Sequence, residues 1–305
     1  MAFTAADVKA LREKTGVGMM DCKKALTEAD GDMERAIDVL REKGLAASAK
    51  KAGRIAAEGI VLAYTDEAKK VSVLVEVNSE TDFVAKNEKF VNYVTAVAKT
   101  IADTNPADVD ELLTKPLAGD TRTVQENLQD MVLSIGENMK IRRFERVEGI
   151  TTSYIHGGGS VGVLVMFDTD DKTAATDAFK VMGKDVAMQI AAMSPAYLDE
   201  ASVPADVLAH EKEITKAQLA EDPKMAGKPE QVLAKIVDGK IVKYFKENCL
   251  LDQAFVKDGD MNVAKYVASV AKELGADIKV TVFIRYAKGE GLEKREDDFA
   301  AEVAS

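Results

Sequence analysis

Histidine and cysteine are both scarce, with two of each among 305 residues. His156 and His210 leave little room for a histidine-based metal site, and the expectation is no metal and no cofactor. Cys22 and Cys249 cannot staple a chain this long, so reduced thiols in a cytosol are the ordinary reading. No apolar run approaches the roughly 18 residues that a membrane span needs. Near the start, Asp7, Glu13 and the lack of an apolar core argue against a signal or transit peptide. Positive charge falls short as well: 41 Lys and Arg face 52 Asp and Glu, a net of −11 with a pI near 4.9. Non-specific nucleic-acid binding needs Lys and Arg to replace counterions along phosphates, so no direct contact with nucleic acid is expected. The sequence reads as a soluble cytoplasmic protein that avoids membranes.

What is present is an ordinary globular composition, 47% apolar, at a length that suggests roughly two domains of about 150 residues. Charge is uneven. Residues 1–54 hold 11 Lys and Arg against 9 Asp and Glu, leaving a net of −13 for the rest. That head reads as three short helices. Thr4 is placed to cap the first with Asp7, and Phe3 and Val8 can form a hydrophobic staple. Val8 and Leu11 give the helix its apolar side, and Gly16 can end it. A second helix starts near Met19 and Met20 and continues through Cys22, Ala25, Leu26 and Ala29. Asp32 caps a third, with Met33, Ala36, Ile37 and Leu40 at helical spacing and Gly44 as its stop. So small a bundle is near the lower limit of independent folding and suits docking better than catalysis. Residues 45–57, small and basic, read as a helical or flexible connector.

From residue 55 the chain repeats itself. Glu58-Gly59-Ile60 returns 90 residues later as Glu148-Gly149-Ile150, and Val71–Val75 returns as Val161–Val165. Each copy reads as strand, five-residue loop and strand, followed by an amphipathic helix. The helix faces are Phe90, Val91, Val94, Ala98 and Ile101 in one copy, and Phe179, Met182, Val186 and Ile190 in the other. At an offset of 139, Ile135–Ile141 corresponds to Leu274–Val280, and Phe144 to Phe283. The second copy therefore carries about 49 extra residues, which 203–250 supply as a helical hairpin. Pro204 and Pro229 occupy its expected first helical positions. The stripe Val232, Leu233, Ile236, Val237, Ile241, Tyr244 and Phe245 is expected to close on its own partner arm; a homodimer through 203–250 is the sharper alternative. The expected fold class is α+β: a helical head (1–54), subdomain N (55–147), subdomain C with the hairpin (148–286), and a closing module (287–305).

Several catalytic patterns match only on paper. HGGGSVG (156–162) fits both G-x-G-x-x-G and G-x-S-x-G, but each demands a helix directly afterwards. Here a strand follows, and the repeat makes 156–160 a hairpin loop whose glycines serve positive φ. His210-Glu211 begins H-E-x-x-H, but Ile214 stands in the second histidine's place. The residues point to a binding protein instead. Thr15–Met20 (TGVGMM) leads two glycines into two methionines, a residue type favoured on adaptable binding surfaces. At most one of the pair can serve the bundle interior, since adjacent helical positions cannot both face one core. Asn78–Lys86 (NSETDFVAK) leaves a well-formed strand, and its counterpart near Asp168–Lys172 is only Asp/Thr-rich. Phe83 there is either a core anchor beside a capping acid or a wedge for another protein.

LREKTGVGMMDCKKAL (11–26), EKGLAASAKKAGRIAAEG (42–59), EVNSETDFVAKNEKF (76–90), IGENMKIRR (135–143) and GEGLEKREDDFAAEV (289–303) together resemble the bacterial translation elongation factor Ts family. The resemblance covers essentially the whole chain. It implies a ubiquitin-associated-like head, a two-part core, a helical insertion and a C-terminal module. It also implies a guanine nucleotide exchange factor, without bond chemistry, whose partner is the GTPase elongation factor Tu. Carried over by position, Asp82 and Phe83 would intrude near the partner's nucleotide, with Thr81 and Val84 beside them as further partner contacts. Leu11, Met19 and Met20 would hold the head against the partner, and Ile135, Gly136 and His156 would add core contacts. A protein-docking module of ubiquitin-associated type is the alternative function.

Overall fold

The computed structural model describes residues 3–225 and 228–293, and the chain divides into two compact units. One comprises 3–148, 155–162 and the segment from Tyr286; the other comprises 149–154 and 163–285. The end of the expected closing module, from residue 294, lies outside the described residues.

In the first unit, the head folds as three helices, α1 (Ala5–Thr15), α2 (Met19–Glu28) and α3 (Met33–Lys51). Thr4 and Asp7 form a capping box at the start of α1, satisfying two backbone amides that the helix leaves free. Gly16 ends α1 at φ +72°, and its N–H donates to the Arg12 carbonyl at 2.7 Å. Asp32 caps α3 by accepting the Arg35 amide. The bundle buries Val8, Leu11, Val17, Cys22, Ala25, Leu26, Ala36 and Leu40, with Phe3 packed alongside. Gly44 is not the stop it was read as. It is buried in α3 against the Gln129 backbone, and the helix-forming run that follows carries α3 on to Lys51.

The first repeat contains β1 (Glu58–Asp66), β2 (Val71–Ser79), the single turn α4 (Asp82–Ala85), α5 (Glu88–Thr104), α6 (Val109–Thr114), α7 (Val124–Ile135) and β3 (Met139–Glu148). Its antiparallel sheet has the order β1-β2-β3. Every residue of the central strand β2 is buried, because both faces are covered. Val71, Val73, Val75 and Val77 face a core with Phe90, Val94, Ala98 and Ile101 of α5. On the opposite face, Leu74 meets the 155–162 segment: a Cβ on Gly162 would stand 2.9 Å from its Cδ1. Glu76 meets the segment after Tyr286. α3 packs against α7, whose Leu133 joins the head's apolar cluster.

The second repeat contains β4 (Ile150–His156), β5 (Val161–Asp168), α8 (Asp171–Ala174), α9 (Asp177–Met193), α10 (Ala205–Glu221), α11 (Glu230–Asn248), β6 (Ala254–Phe255), β7 (Asp258–Asn262), α12 (Val263–Leu274) and β8 (Lys279–Ala287). The sheet order β4-β5-β8 reproduces the first sheet strand for strand. Phe179, Met182, Val186 and Ile190 of α9 are buried, and Phe179 meets Phe167 edge-on at 5.1 Å. α10 and α11 form the expected hairpin, and their own contact closes the stripe on Val203, Leu219, Val237, Ile241 and Phe245. Val232 and Val242 stay exposed. Pro204 and Pro229 are N-caps, not the first helical residues expected: the helices begin one position later, at Ala205 and Glu230. The β6–β7 ribbon was not foreseen; its Phe255 stacks on Tyr266 of α12 at 4.2 Å.

Candidate partner-binding site

Phe83 is 78% exposed. That decides against the core-anchor reading, because a phenyl ring left in water gives up the burial that would justify it. It lies on α4 between two residues of opposite character. Asp82 is exposed and accepts the Lys86 ammonium at 2.9 Å, a hydrogen bond and charge that hold its carboxyl below the usual carboxylate range. Val84, expected as a partner contact, is instead buried and anchors the turn in the core below. The second repeat has the same arrangement of inside and outside: Thr173 is buried and Lys172 is exposed on α8. Phe83 therefore occupies a position that the scaffold itself reserves for a solvated side chain.

Thr81 sets the entry to this turn. It has the extended backbone of an N-cap, φ −126° and ψ 158°, but its side chain caps nothing in α4. Instead its N–H donates to Glu137 Oε2 at 2.9 Å and its hydroxyl donates to Glu137 Oε1 at 2.7 Å. The Ser79 hydroxyl donates to the Thr81 carbonyl at 3.0 Å. One residue away on each side, the Asn138 N–H donates to Glu80 at 2.6 Å, and the Asn138 amide group donates to the Arg54 carbonyl at 2.8 Å. This lattice brings Ile135 and Gly136, which directly precede Glu137, to the loop that carries Asp82 and Phe83. Ile135 is half-buried, and Gly136 is exposed at φ +89°, ending α7.

The head's residues divide. Met19 and Met20 are 42% and 63% exposed, so neither fills the bundle. Cys22, Ala25, Leu26 and Ala29 already occupy the inner side of α2. Leu11 is fully buried; its side chain supports the head's surface from beneath and is not itself a surface contact. The turn before Met19 lies close to α5: a Cβ on Gly16 would stand 2.7 Å from Lys89 Nζ.

His156 lies within the first unit, in the segment 155–162. It is exposed at the start of the β4–β5 turn, which rests on β1. The Val61 N–H donates to the Gly159 carbonyl at 2.8 Å, and a Cβ on Gly159 would come within 2.9 Å of Ile60 Cβ. These glycines thus answer close packing as well as positive φ. The Ser160 hydroxyl donates to the His156 carbonyl, and β5 follows where a nucleophile elbow would need a helix. Among the described residues no group of three or more His, Cys, Asp or Glu could hold a metal ion, and no helix is long and apolar enough to cross a membrane. Burial pushes the Cys249 thiol up to about 11 and the Cys22 thiol above its ordinary value, which is inert chemistry.

Sequence reasoning missed Glu76. This carboxylate is wholly buried in β2, where a bulge in β3 sets two consecutive arginines against it. Arg142 donates at 3.0 Å and Arg143 at 2.7 Å, Asn78 donates at 3.1 Å, and the Gly289 N–H donates at 2.8 Å. Burial alone pushes this carboxyl up; the Gly289 amide, Asn78 and the two arginines outweigh it and leave it below the usual range. The Arg143 guanidinium also covers the Tyr286 ring at 4.1 Å. The segment that carries the chain toward residue 294 is thereby fastened to the first sheet. No local pattern reveals a bulge that lies 66 residues from the acid.

The sequence profile of the family described as Elongation factor TS matches residues 80–290. The chain is 53% identical to an elongation factor Ts of Clostridium perfringens, over 99% of this chain and 98% of that protein. It is 52% identical to one of Clostridium kluyveri, over 99% and 97%, and 50% identical to one of Clostridium novyi, over 98% and 97%.

Proposed function

Because the chain belongs to the elongation factor Ts family of translation factors, we propose that it is a guanine nucleotide exchange factor that binds elongation factor Tu·GDP and promotes GDP release during elongation. The observation that carries this reading is Phe83: a large apolar side chain, 78% exposed, on a turn fixed by Val84 below and Glu137 beside it. A wedge must be both exposed and rigidly held, and this residue has both properties.

The mechanism needs no bond chemistry. An exchange factor accelerates release by binding its nucleotide-free partner better than the GDP-bound one, and GDP must weaken the factor's binding in the same ratio. Phe83 supplies the apolar intrusion and Asp82 competes for polar groups around the nucleotide's phosphates and Mg²⁺. Met19 and Met20 are the adaptable contact of a docking head (1–54), with Leu11 holding it in shape. Ile135, Gly136 and His156 extend the contact surface. The role proposed is cytoplasmic, as for a translation factor, and a net charge of −11 does not favour direct contact with nucleic acid.

The test is release of fluorescent GDP from purified elongation factor Tu, with this protein at substoichiometric amounts. Acceleration with turnover is the expected result. A folded protein that leaves release unchanged beside an active partner would return the head, as a docking module, to first place.

A further inference from the structure

The two repeats share one scaffold, so each difference between them is a controlled comparison. At the entry to α8, Asp170 caps the turn in the ordinary way, its carboxylate accepting the Thr173 amide at 2.9 Å. At the equivalent place, 89 residues earlier, Thr81 leaves α4 uncapped and spends both its N–H and its hydroxyl on Glu137, 56 residues away. The residue equivalent to Glu137 in the second repeat is Ala276, which has no side-chain acceptor. The repeat that presents lysine at the exposed position has a local cap; the repeat that presents phenylalanine has a long-range tether.

From this pairing we infer that Glu137 is the positioning residue of the Phe83 wedge: it touches no partner, and it fixes the angle at which the α4 turn leaves β2. The inference rests on the exchange-factor reading above. A hydroxyl cap would hold α4 to its own first turn, and α4 is too short to hold any direction by itself. Two bonds to one carboxylate hold both the backbone and the side chain of Thr81 against the α7–β3 junction, leaving a single exit direction for Asp82 and Phe83. A lost tether leaves the wedge present but loosely aimed, the condition in which a site keeps its residues and loses its rate.

The test compares GDP release from elongation factor Tu by the wild type, Glu137→Ala, Glu137→Gln, Phe83→Ala and the Phe83→Ala/Glu137→Ala pair, with hydrogen exchange at the Thr81 amide in the free chain. Glutamine can still accept the amide and donate to the Thr81 hydroxyl, so it preserves both bonds. The expected result is roughly tenfold slower release for Glu137→Ala, as for other misplacements of a positioned group. Near-wild-type release for Glu137→Gln, faster exchange at Thr81 in the alanine variant only, and no further slowing when Glu137→Ala is added to Phe83→Ala should accompany it. A purely structural role would slow the Phe83→Ala background by the same factor, and that outcome overturns the inference, as does an alanine variant as fast as wild type. Should Glu137→Ala fail to fold, Thr81→Val, which removes one bond of the tether, is measured in the same cycle and decides in the same way. A folded wild type that fails to accelerate release removes the exchange-factor reading itself, whereas the outcomes above strike the tether alone.

Discussion

Phe83 and Val84 are neighbours on a single helical turn, one 78% exposed and the other 4% exposed. Truncating each should therefore do opposite things. Phe83→Ala is expected to leave stability within about 0.5 kcal/mol of wild type, the range of an ordinary surface change, while slowing GDP release strongly. Val84→Ala should cost about 2 kcal/mol from lost burial, seen as a lower denaturant midpoint. A Phe83→Ala variant that unfolds, yet retains activity in its folded fraction, would make Phe83 part of the core.

The same division runs through the head. Leu11→Ala empties a fully buried site and should destabilise the head by about 3 kcal/mol, measured by thermal melting. Met20→Ala should leave that melt unmoved but weaken binding to nucleotide-free elongation factor Tu by roughly 1–2 kcal/mol in a calorimetric titration. If both variants bind alike after correction for unfolded protein, Met20 lies outside the contact.

At the β4–β5 turn, Gly159→Ala meets two obstacles: φ of +100° and the Ile60 side chain. A loss of about 2–3 kcal/mol is expected in urea unfolding. Ser160→Ala removes one hydrogen bond to the His156 carbonyl and should cost under about 1 kcal/mol. It should also leave exchange activity intact, as befits a loop residue without a catalytic role.

Glu76 gives the chain an acid-sensitive clasp. Its carboxyl is held below the ordinary range in the folded state, so its stabilising contribution is fully present above about pH 4.3 and fades as pH falls through the lowered value. Glu76→Gln should cost about 2 kcal/mol at pH 7 by weakening charge-assisted bonds to Arg142, Arg143 and Gly289. The gap between the two proteins should shrink below pH 4 in parallel denaturant titrations; a constant gap would mean that the carboxylate's charge is not what holds the clasp.

Much of this fold was legible because its signals are local or repeated. The Thr4 and Asp32 caps, the two hairpins and the α9 core face follow from spacing alone, and the 90- and 139-residue offsets locate the matching sheets. Failures came where tertiary packing overrides a local signal. Gly44 resembles a helix stop until α7 is packed against it. The methionine pair looked divided between core and solvent until α2's inner face proved full without either. For the site, the exposed residues could be nominated by motif, but not the acids that hold them. Glu137 stood in view in IGENMKIRR, and its change to Ala276 across the repeat was the one local sign that it served something unique to the first copy.

The clasp at Glu76 also sets a schedule for the newborn chain. Its amide donor, Gly289, lies 213 residues downstream and emerges from the ribosome about 10–40 s later at ordinary synthesis rates. Through that interval β2 exists with a buried-type acid and no complete set of partners. The second unit needs residues up to 285, so it too waits for a segment made long after its first strand. Neither unit gains the head start that vectorial synthesis usually gives an N-terminal domain, since each draws on residues at or beyond 285.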